Sequence, residues 1–490
     1  MKRQPPVKKN DDIIIEITAL NSQGQGVGRY DDYAVFVPGA IPGEKVQTHI
    51  IKVNPGYGVG KLQKILTSSA ERAEALCPVY GSCGGCALQH IRYDAQLKYK
   101  RQAVTDALER IGGFKGISVN ETIGMSKPWS YRNKGAFPVS FVNGKIEAGF
   151  FAPRSHRIIP ISDCSIQDES VILCVNAVRD WANEFGIRAY DEQTQKGTLR
   201  HIVARTSTNG EVMAVVVTTG SLPRKDELVT ILRERVPGLA SIIHNVNSKQ
   251  TSVILGEKYV VLWGKERLEE EICSLKFMVS PASFLQVNPV QTEKLYGTAL
   301  EYAALTGNET VIDIYCGIGT ITLLLAQKAK TVIGIENVPE AVNDAINNAG
   351  INGITNAKFI CAKAEEELPR LVNEGIRPDV AVLDPPRKGA EPELLRAIIE
   401  SKTPKIVYVS CNPTTLARDL KILAEGGYEI SKVQPVDMFP HTEHVEYIVL
   451  MSRLKASRLL PIAGSVPPLQ NKCPTLILVK TYSEITLQID

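Results

Sequence analysis

The stretch Lys405-Ile406-Val407-Tyr408-Val409-Ser410-Cys411-Asn412-Pro413 reads as an apolar strand that delivers one cysteine into a tight Asn-Pro turn. A thiol there sits at the carboxyl edge of a sheet, where open α/β folds place their chemistry. One helix upstream, Val380-Ala381-Val382-Leu383 runs into Asp384-Pro385-Pro386-Arg387. Further upstream, Thr310-Val311-Ile312-Asp313-Ile314-Tyr315 runs into Cys316-Gly317-Ile318-Gly319-Thr320. Three strand ends therefore converge on one crevice, and one of them carries a potential nucleophile. From about residue 284 the periodicity alternates strand and helix, the signature of a doubly wound sheet.

Towards the amino terminus the pattern changes. Residues 120–280 read as α+β, with strands at 200–205 and 211–217. Residues 11–67 alternate short apolar runs such as Ile13-Ile14-Ile15 and Ala34-Val35-Phe36-Val37 with glycine and proline turns, which predicts a small, closed OB-like β-barrel. Gly24, Gly26 and Gly28 lack the strand-to-helix context of a phosphate loop and read as a turn. Between barrel and α+β region, an amphipathic helix is expected over residues 94–111, with Leu97, Val104, Leu108 and Ile111 on one face and Gly112-Gly113 as its stop. It is a candidate to pack on the α/β domain. The chain is thus expected to be multidomain: a basic tail (1–10), a barrel (11–68), a central α+β domain (69–280), a Rossmann-like α/β domain (281–450) and an unassigned extension (451–490).

A chain of 490 residues suits roughly three domains. With 44% hydrophobic and 22% charged residues it is not a disordered chain. No apolar run approaches the roughly 18 residues that span a bilayer, and Met1-Lys2-Arg3-Gln4-Pro5-Pro6 has no apolar core behind its charges, so a cytoplasmic protein without a membrane partner is expected. A formal charge of +3 does not argue nucleic-acid binding by itself, although Lys2, Arg3, Lys8 and Lys9 make a local basic tail.

Ten cysteines in a cytosolic chain point to metal or catalytic chemistry before disulfides. Cys77, Cys83 and Cys86 lie in a glycine-rich loop that can turn several thiolates towards one point, as a multi-iron cluster requires. Cys164 is the best candidate for a fourth ligand, whereas Cys174 lies in an apolar helical run and reads as core. Zinc competes for four thiolates, but its sites usually offer two short Cys-x-x-Cys knuckles, so a 4Fe-4S cluster is favoured.

In the crevice, the glycines after Tyr315 let backbone approach a ligand at a helix amino terminus. The third glycine of a dinucleotide fingerprint is missing, with Thr322 in its region, and Glu336 ends the next strand where a carboxylate can hold two ribose hydroxyls. These features fit S-adenosylmethionine. Asp384-Pro385-Pro386-Arg387 places a carboxylate and an arginine where amine methylases use Asn-Pro-Pro-aromatic, so the target is expected not to be an amine. A carbon of a pyrimidine is a poor nucleophile, but a thiolate added at C6 makes C5 able to attack a methylsulfonium. Cys411 is placed for that addition. A base must then remove the C5 proton, and Phe439-Pro440-His441-Thr442-Glu443-His444-Val445-Glu446 supplies Glu446, with His441 as rival.

Together these residues resemble the RNA uracil-C5 methyltransferases that carry an iron-sulfur cluster and a TRAM barrel. The resemblance covers roughly residues 11–450 and includes Ser283-Phe284-Leu285-Gln286-Val287-Asn288, Asp384-Pro385-Pro386-Arg387, Ser410-Cys411-Asn412-Pro413 and His441-Thr442-Glu443-His444-Val445-Glu446. It implies that Gln286, Tyr315, Glu336 and Asp384 contact S-adenosylmethionine, with Gly317 and Thr320 beside its methionine moiety. It implies also that Cys411 is the nucleophile and Glu446 the proton acceptor, and that Phe284 and Arg132, in Tyr131-Arg132-Asn133-Lys134, border a flipped uracil. Relatives usually end near residue 450, so the extension is assigned nothing.

The function expected is methylation of C5 of a specific uridine in structured RNA, with 23S ribosomal RNA the first expectation and transfer RNA the alternative. RNA is the expected partner, and no obligate protein partner is evident. Cytosine methylation usually pairs its thiol with a preceding proline, and here serine precedes Cys411. A non-catalytic RNA-binding factor that uses the barrel for single strands is the alternative of a different class.

Overall fold

The computed structural model describes residues 4–454, so Lys2 and Arg3 of the basic tail and residues 455–490 of the extension lie outside the described residues. Alternating apolar residues form five strands, β1 (Asp12–Leu20), β2 (Gly26–Tyr30), β3 (Tyr33–Val37), β4 (Lys45–Val53) and β5 (Tyr57–Thr67). They close into a barrel in the order β1-β2-β3-β5-β4, around Ile13, Ile15, Val35, Val37 and Val46. Gly28 lies within β2, where a Cβ would come within 2.5 Å of the Glu16 carbonyl, so this glycine serves strand packing and not phosphate binding.

A long loop carrying three cysteines leads into α1 (Tyr93–Ala107). The helix then widens into one π turn, Leu108–Gly112, which differs from the single helix expected to Ile111. Such a turn advances the register by an extra residue, and Ile111 ends 42% exposed while Val104 and Leu108 are buried. The expected apolar stripe therefore stops short. The buried side of α1 is partly polar, with Gln96 and Lys100 enclosed alongside Ala95, Val104 and Ala107.

The central sheet has seven strands in the order β12-β11-β10-β9-β6-β7-β8. They are β6 (Lys134–Val142), β7 (Lys145–Phe151), β8 (Ile158–Pro160), β9 (Leu199–Thr206), β10 (Val212–Thr218), β11 (Leu239–Val246) and β12 (Lys258–Gly264). Helices α2 (Glu169–Glu184) and α3 (Lys225–Arg235) belong to the same region, with Trp181, Val178 and Cys174 in one core with Phe137, Ile202 and Val216. A hairpin of β13 (Leu268–Ile272) and β14 (Leu275–Val279) leads on to the last region.

There, α4 (Pro289–Ala303), β15 (Thr310–Ile314), α5 (Thr320–Ala326), β16 (Thr331–Glu336), α6 (Pro339–Ile351), β17 (Ala357–Cys361), α7 (Ala364–Asn373), β18 (Val380–Leu383), α8 (Pro392–Ser401), β19 (Lys405–Ser410), α9 (Pro413–Glu425), β20 (Tyr428–Val436) and β21 (Glu446–Arg453) alternate as the periodicity predicts. The sheet order is β17-β16-β15-β18-β19-β21-β20, parallel up to β19 and antiparallel at β21. The chain winds outwards from β15 in one direction and from β18 in the other. The crevice between their carboxyl ends is therefore the switch point at which such sheets bind ligands. β21 runs three residues beyond the expected boundary at Leu450, because Met451 is buried in the core. Among the described residues no helix is long and apolar enough to cross a membrane.

Candidate active site

Tyr315, just past β15, has φ 68, a left-handed conformation that a bulky side chain rarely adopts. Its N–H and that of Cys316 donate to the Ile335 carbonyl at 2.9 and 3.1 Å, which ties this turn to β16. At Gly317 (φ 55) a Cβ would meet nothing within 4 Å, so the backbone lies open to a ligand. Glu336 closes the neck between the two turns, its carboxylate accepting from the N–H groups of Gly317 (3.1 Å), Asn337 (2.8 Å) and Val338 (3.0 Å). Thr320 is buried against the Tyr296 hydroxyl. Behind this crevice Asp313 accepts from Thr322 Oγ1 at 2.5 Å, and burial, helped by the charges of Asp384 and Glu336, pushes its carboxyl up to about 7.

Across the switch point, β21 pairs with β19 up to Ser410, which faces Tyr447, so Cys411 and Glu446, the next residues along the two chains, lie near enough for the charge of Glu446 to act on the thiol. The Cys411 turn is held open by Asn412, whose Oδ1 accepts from Thr414 N at 3.0 Å and caps α9. Asn412 Nδ2 and Thr415 Oγ1 both donate to the Arg387 carbonyl, at 3.1 and 3.3 Å, so the turn carrying Cys411 is bonded to the turn carrying Asp384. Burial pushes the Cys411 thiol up to about 11; Glu446 and Asp384 add to the rise and Arg387 opposes it. Burial pushes Asp384 up to about 6 and Glu446 well above the usual carboxylate range, with the charge of Asp384 raising Glu446 further. A thiol, the buried Glu446 and the half-buried Asp384 thus share a corner with one arginine. A cation brought to that corner would favour the ionised form of all three.

The family now follows from likeness. Residues 239–454 match the tRNA (Uracil-5-)-methyltransferase family, and residues 6–62 match the TRAM domain. Uncharacterised RNA methyltransferases of Halalkalibacterium halodurans and Clostridium tetani are each 50% identical to this chain over 92% of it, and over 99% and 98% of their own lengths. The chain belongs to the RNA (uracil-5-)-methyltransferase family. A solved structure, the tRNA (uracil-54, C5)-methyltransferase of Pyrococcus abyssi in complex with S-adenosyl-L-homocysteine, matches with a TM-score of 0.72 and 29% identity, covering 90% of this chain and all of that one. This RNA methyltransferase is accordingly S-adenosylmethionine-dependent, with an amino-terminal TRAM barrel and a carboxyl-terminal methyltransferase fold.

In the methyltransferase, Cys411 opens onto a cleft of about 460 Å³. Its other walls include the end of β1 and the start of the loop after it in the TRAM barrel (Thr18 to Ser22), one side of α1 (Tyr99 to Asp106) and Glu443 and His444. Val445 and Tyr447 line this cleft, while Glu446, on the alternate face of the strand, does not. Arg132 and Phe284 also stand outside it: the Arg132 guanidinium lies 5.9 Å from the Phe439 ring centre, and Phe284 is 75% exposed. His441, the rival base, is buried and stacked 3.6 Å from Trp129, and burial beside Lys100 brings it down to about 3.

Cys77, Cys83, Cys86 and Cys164 line one small cavity with Phe150, Ile161 and Ile166, although they come from two segments of the chain. Burial raises Cys83, Cys86 and Cys164, and each of the three feels the charge of neighbouring thiols of the set. The donor set and its apolar wall fit a thiolate-bound cationic group. Among the described residues, however, no three His, Cys, Asp or Glu side chains are arranged to hold a metal ion. Cys174 is fully buried in the core, as expected.

Sequence reasoning missed the residues that brace this site. Ser283 donates to Asp344 Oδ2 at 2.9 Å, and Asp344 is also paired with Arg267. Arg205, buried in the central sheet, donates to the Ser283 carbonyl at 3.1 Å, so the loop carrying Phe284 and the buried Gln286 is held from the central sheet and from α6. Lys100 donates to Asp437 Oδ1 at 2.6 Å and to the Phe439 carbonyl at 3.0 Å, both groups being buried. A lysine and a glutamine on a helix read as a solvent face, and only buried partners distant in sequence show otherwise.

Proposed function

We propose that this chain methylates C5 of a uridine in structured RNA, with Cys411 as nucleophile and Glu446 as proton acceptor, and that its target lies in 23S ribosomal RNA. The observation that carries this is the gathering of Cys411, Glu446, Asp384 and Arg387 at the switch point, where β19 and β21 pair up to Ser410 and Tyr447 and the charges of the other three groups act on the Cys411 thiol. S-adenosylmethionine, when bound, supplies an electrophilic methyl on a cationic sulfur. Tyr315, Gly317, Thr320, Glu336, Asp384 and Gln286 are the residues we assign to hold it. Glu336 suits ribose hydroxyls because its carboxylate is already oriented by three backbone amides.

The Cys411 sulfur adds to uracil C6 as a thiolate, and the electron pair displaced towards C5 makes that carbon nucleophilic. Once C5 carries the methyl group, Glu446 removes its remaining proton. The C–H pair re-forms the C5–C6 double bond, and the C6–S bond breaks to release Cys411. Arg132 and Phe284 are assigned to border the target base, and Phe284, exposed on a braced loop, suits a stacking surface for a nucleotide taken out of its helix. Residues 11–68 are assigned to RNA binding. Residues 69–280 are assigned to RNA positioning around a 4Fe-4S cluster held by Cys77, Cys83, Cys86 and Cys164, whose convergence on one cavity supports that ligand set.

A second reading, transfer RNA as the substrate, is favoured by the full-length likeness to an archaeal enzyme whose name specifies tRNA. Nucleoside mass spectrometry decides between them. Ribosomal and transfer RNA from a strain lacking this gene are each incubated with the protein and labelled cofactor, and label is expected as 5-methyluridine in the 23S fraction. Label confined to transfer RNA would establish the second reading, and label in a cytosine or an amine would reject both.

A further inference from the structure

The loop that carries Cys77, Cys83 and Cys86 does not end in solvent. It runs directly into hydrogen bonds with the segment that leads to Glu446. The N–H groups of Ala87 and Leu88, next after Cys86, donate to the His441 carbonyl at 3.1 and 2.9 Å. Gln96, fully buried in α1, binds both sides of this junction. Its Nε2 donates to the carbonyls of Leu88 (3.1 Å) and Ile91 (2.8 Å) and lies 3.1 Å from His441 Nδ1, while its Oε1 accepts from His441 N at 3.0 Å. His441 itself has φ 67. A non-glycine residue held there is strained and persists only where its surroundings over-determine it. Here they do, through Gln96, the Trp129 stack at 3.6 Å, and the Tyr131 hydroxyl, which donates to the Pro440 carbonyl at 3.0 Å.

We propose that the cysteine loop and Gln96 position the proton acceptor: they clamp His441 in its strained turn and so set where the strand bearing Glu446 begins. Gln96 is a positioning residue that acts through His441. This rests on the uracil-methylation reading above and adds to it a mechanical link between the cysteine cavity and the last step of the reaction. The link accounts for the burial of Gln96, a polar side chain next to the expected apolar stripe of α1. It requires no electron transfer between that cavity and Cys411.

Two measurements on the full-length holoprotein test this. In the first, Gln96→Met and Trp129→Leu are each given natural substrate RNA and methyl-labelled cofactor. Gln96→Met removes the buried clamp; Trp129→Leu loosens the same turn while burying no unpaired group, so it serves if the first variant does not fold. A misplaced base acts only after methyl transfer, so labelled covalent RNA–protein adduct should accumulate on a denaturing gel. Release should slow about tenfold or more while the single-turnover rate of methyl transfer changes less than about twofold. Unchanged release, or equal losses in transfer and release, would overturn the proposal.

In the second, hydrogen exchange is compared between wild type and Cys83→Ala, without turnover. Residues 437–446 should lose protection together with residues 77–91. Loosening confined to residues 77–91 would overturn the link. Failure of the underlying chemistry looks different: wild type would form no adduct on 5-fluorouridine RNA, whatever the exchange pattern.

Discussion

Among the described residues there are two sheets of seven strands, and they differ in what stands at their strand ends. The central sheet is threaded by antiparallel pairs, and β10 is buried along its whole length, Val212 to Thr218. The second sheet is parallel through β17-β16-β15-β18-β19, so its carboxyl ends fall on one edge. That edge holds Glu336, Asp384 and Cys411, and the antiparallel β21 returns Glu446 to the same corner. Sheet size therefore says nothing about chemistry here. Strand direction does, because only a parallel sheet with a switch point gathers several chain reversals around one crevice.

The comparison breaks most visibly at Cys411. Cys411→Ala should lower turnover about 10⁴-fold or more and form no covalent RNA complex, because C5 is never activated. A slow-migrating RNA band with that variant would remove the thiol from the mechanism. Glu446→Gln should cost about 10²- to 10⁴-fold and fail differently, accumulating methylated adduct that retains its C5 proton. Absence of adduct from this variant would leave Glu446 without its assigned role.

The central sheet should respond in stability and not in chemistry. Trp181→Ala, at a fully buried position, should lower unfolding free energy by about 3–5 kcal/mol, read as a fall in the urea midpoint. Cofactor affinity of the folded protein should stay within about twofold; a larger loss would mean that the two sheets are not separable in function.

The smallest effect is one of pH and sharpens the contrast at the catalytic edge alone. Asp384 and Asp313 are pushed up to about 6 and about 7. Folded values above the unfolded ones mean that the stability these groups leave intact below about pH 4 is lost as pH rises through about 6 to 7. A cation bound beside them offsets that loss by favouring the ionised forms. Affinity for S-adenosylmethionine, measured by calorimetry, should rise about tenfold between about pH 5.5 and pH 8, one pKa unit being about 1.4 kcal/mol. S-adenosylhomocysteine, which lacks the charge, should show a nearly flat profile. Equal slopes for the two ligands would count against carboxylates beside the sulfur.

The catalytic edge was legible in sequence because its elements are short, apolar and sharply ended: Val407-Tyr408-Val409 by Asn412-Pro413, and Val382-Leu383 by Asp384-Pro385-Pro386. The barrel was legible from alternation alone, and the burial of Ile13, Ile15 and Ile17 on β1 repeats with period two as a half-buried strand must. The helix before residue 112 was only half legible. Its existence and start followed from periodicity, but its π turn and its buried Gln96 and Lys100 did not. Nothing local distinguishes a lysine that faces water from one whose carboxylate partner, Asp437, lies 337 residues later.

Local pattern in the sequence is therefore enough for the type of the barrel and α/β elements and for the identity of the groups that end the strands. These follow from local rules of period, turn chemistry and capping, which act over a few residues. Tertiary packing alone holds Ser283 between Arg205 and Asp344 and sets the loop after Cys86 against His441, and it brings Cys164, the expected fourth partner, to the cavity of Cys77, Cys83 and Cys86. Each of these joins segments far apart in the chain. A buried polar group must find its partner wherever packing brings one, and no local pattern records that distance.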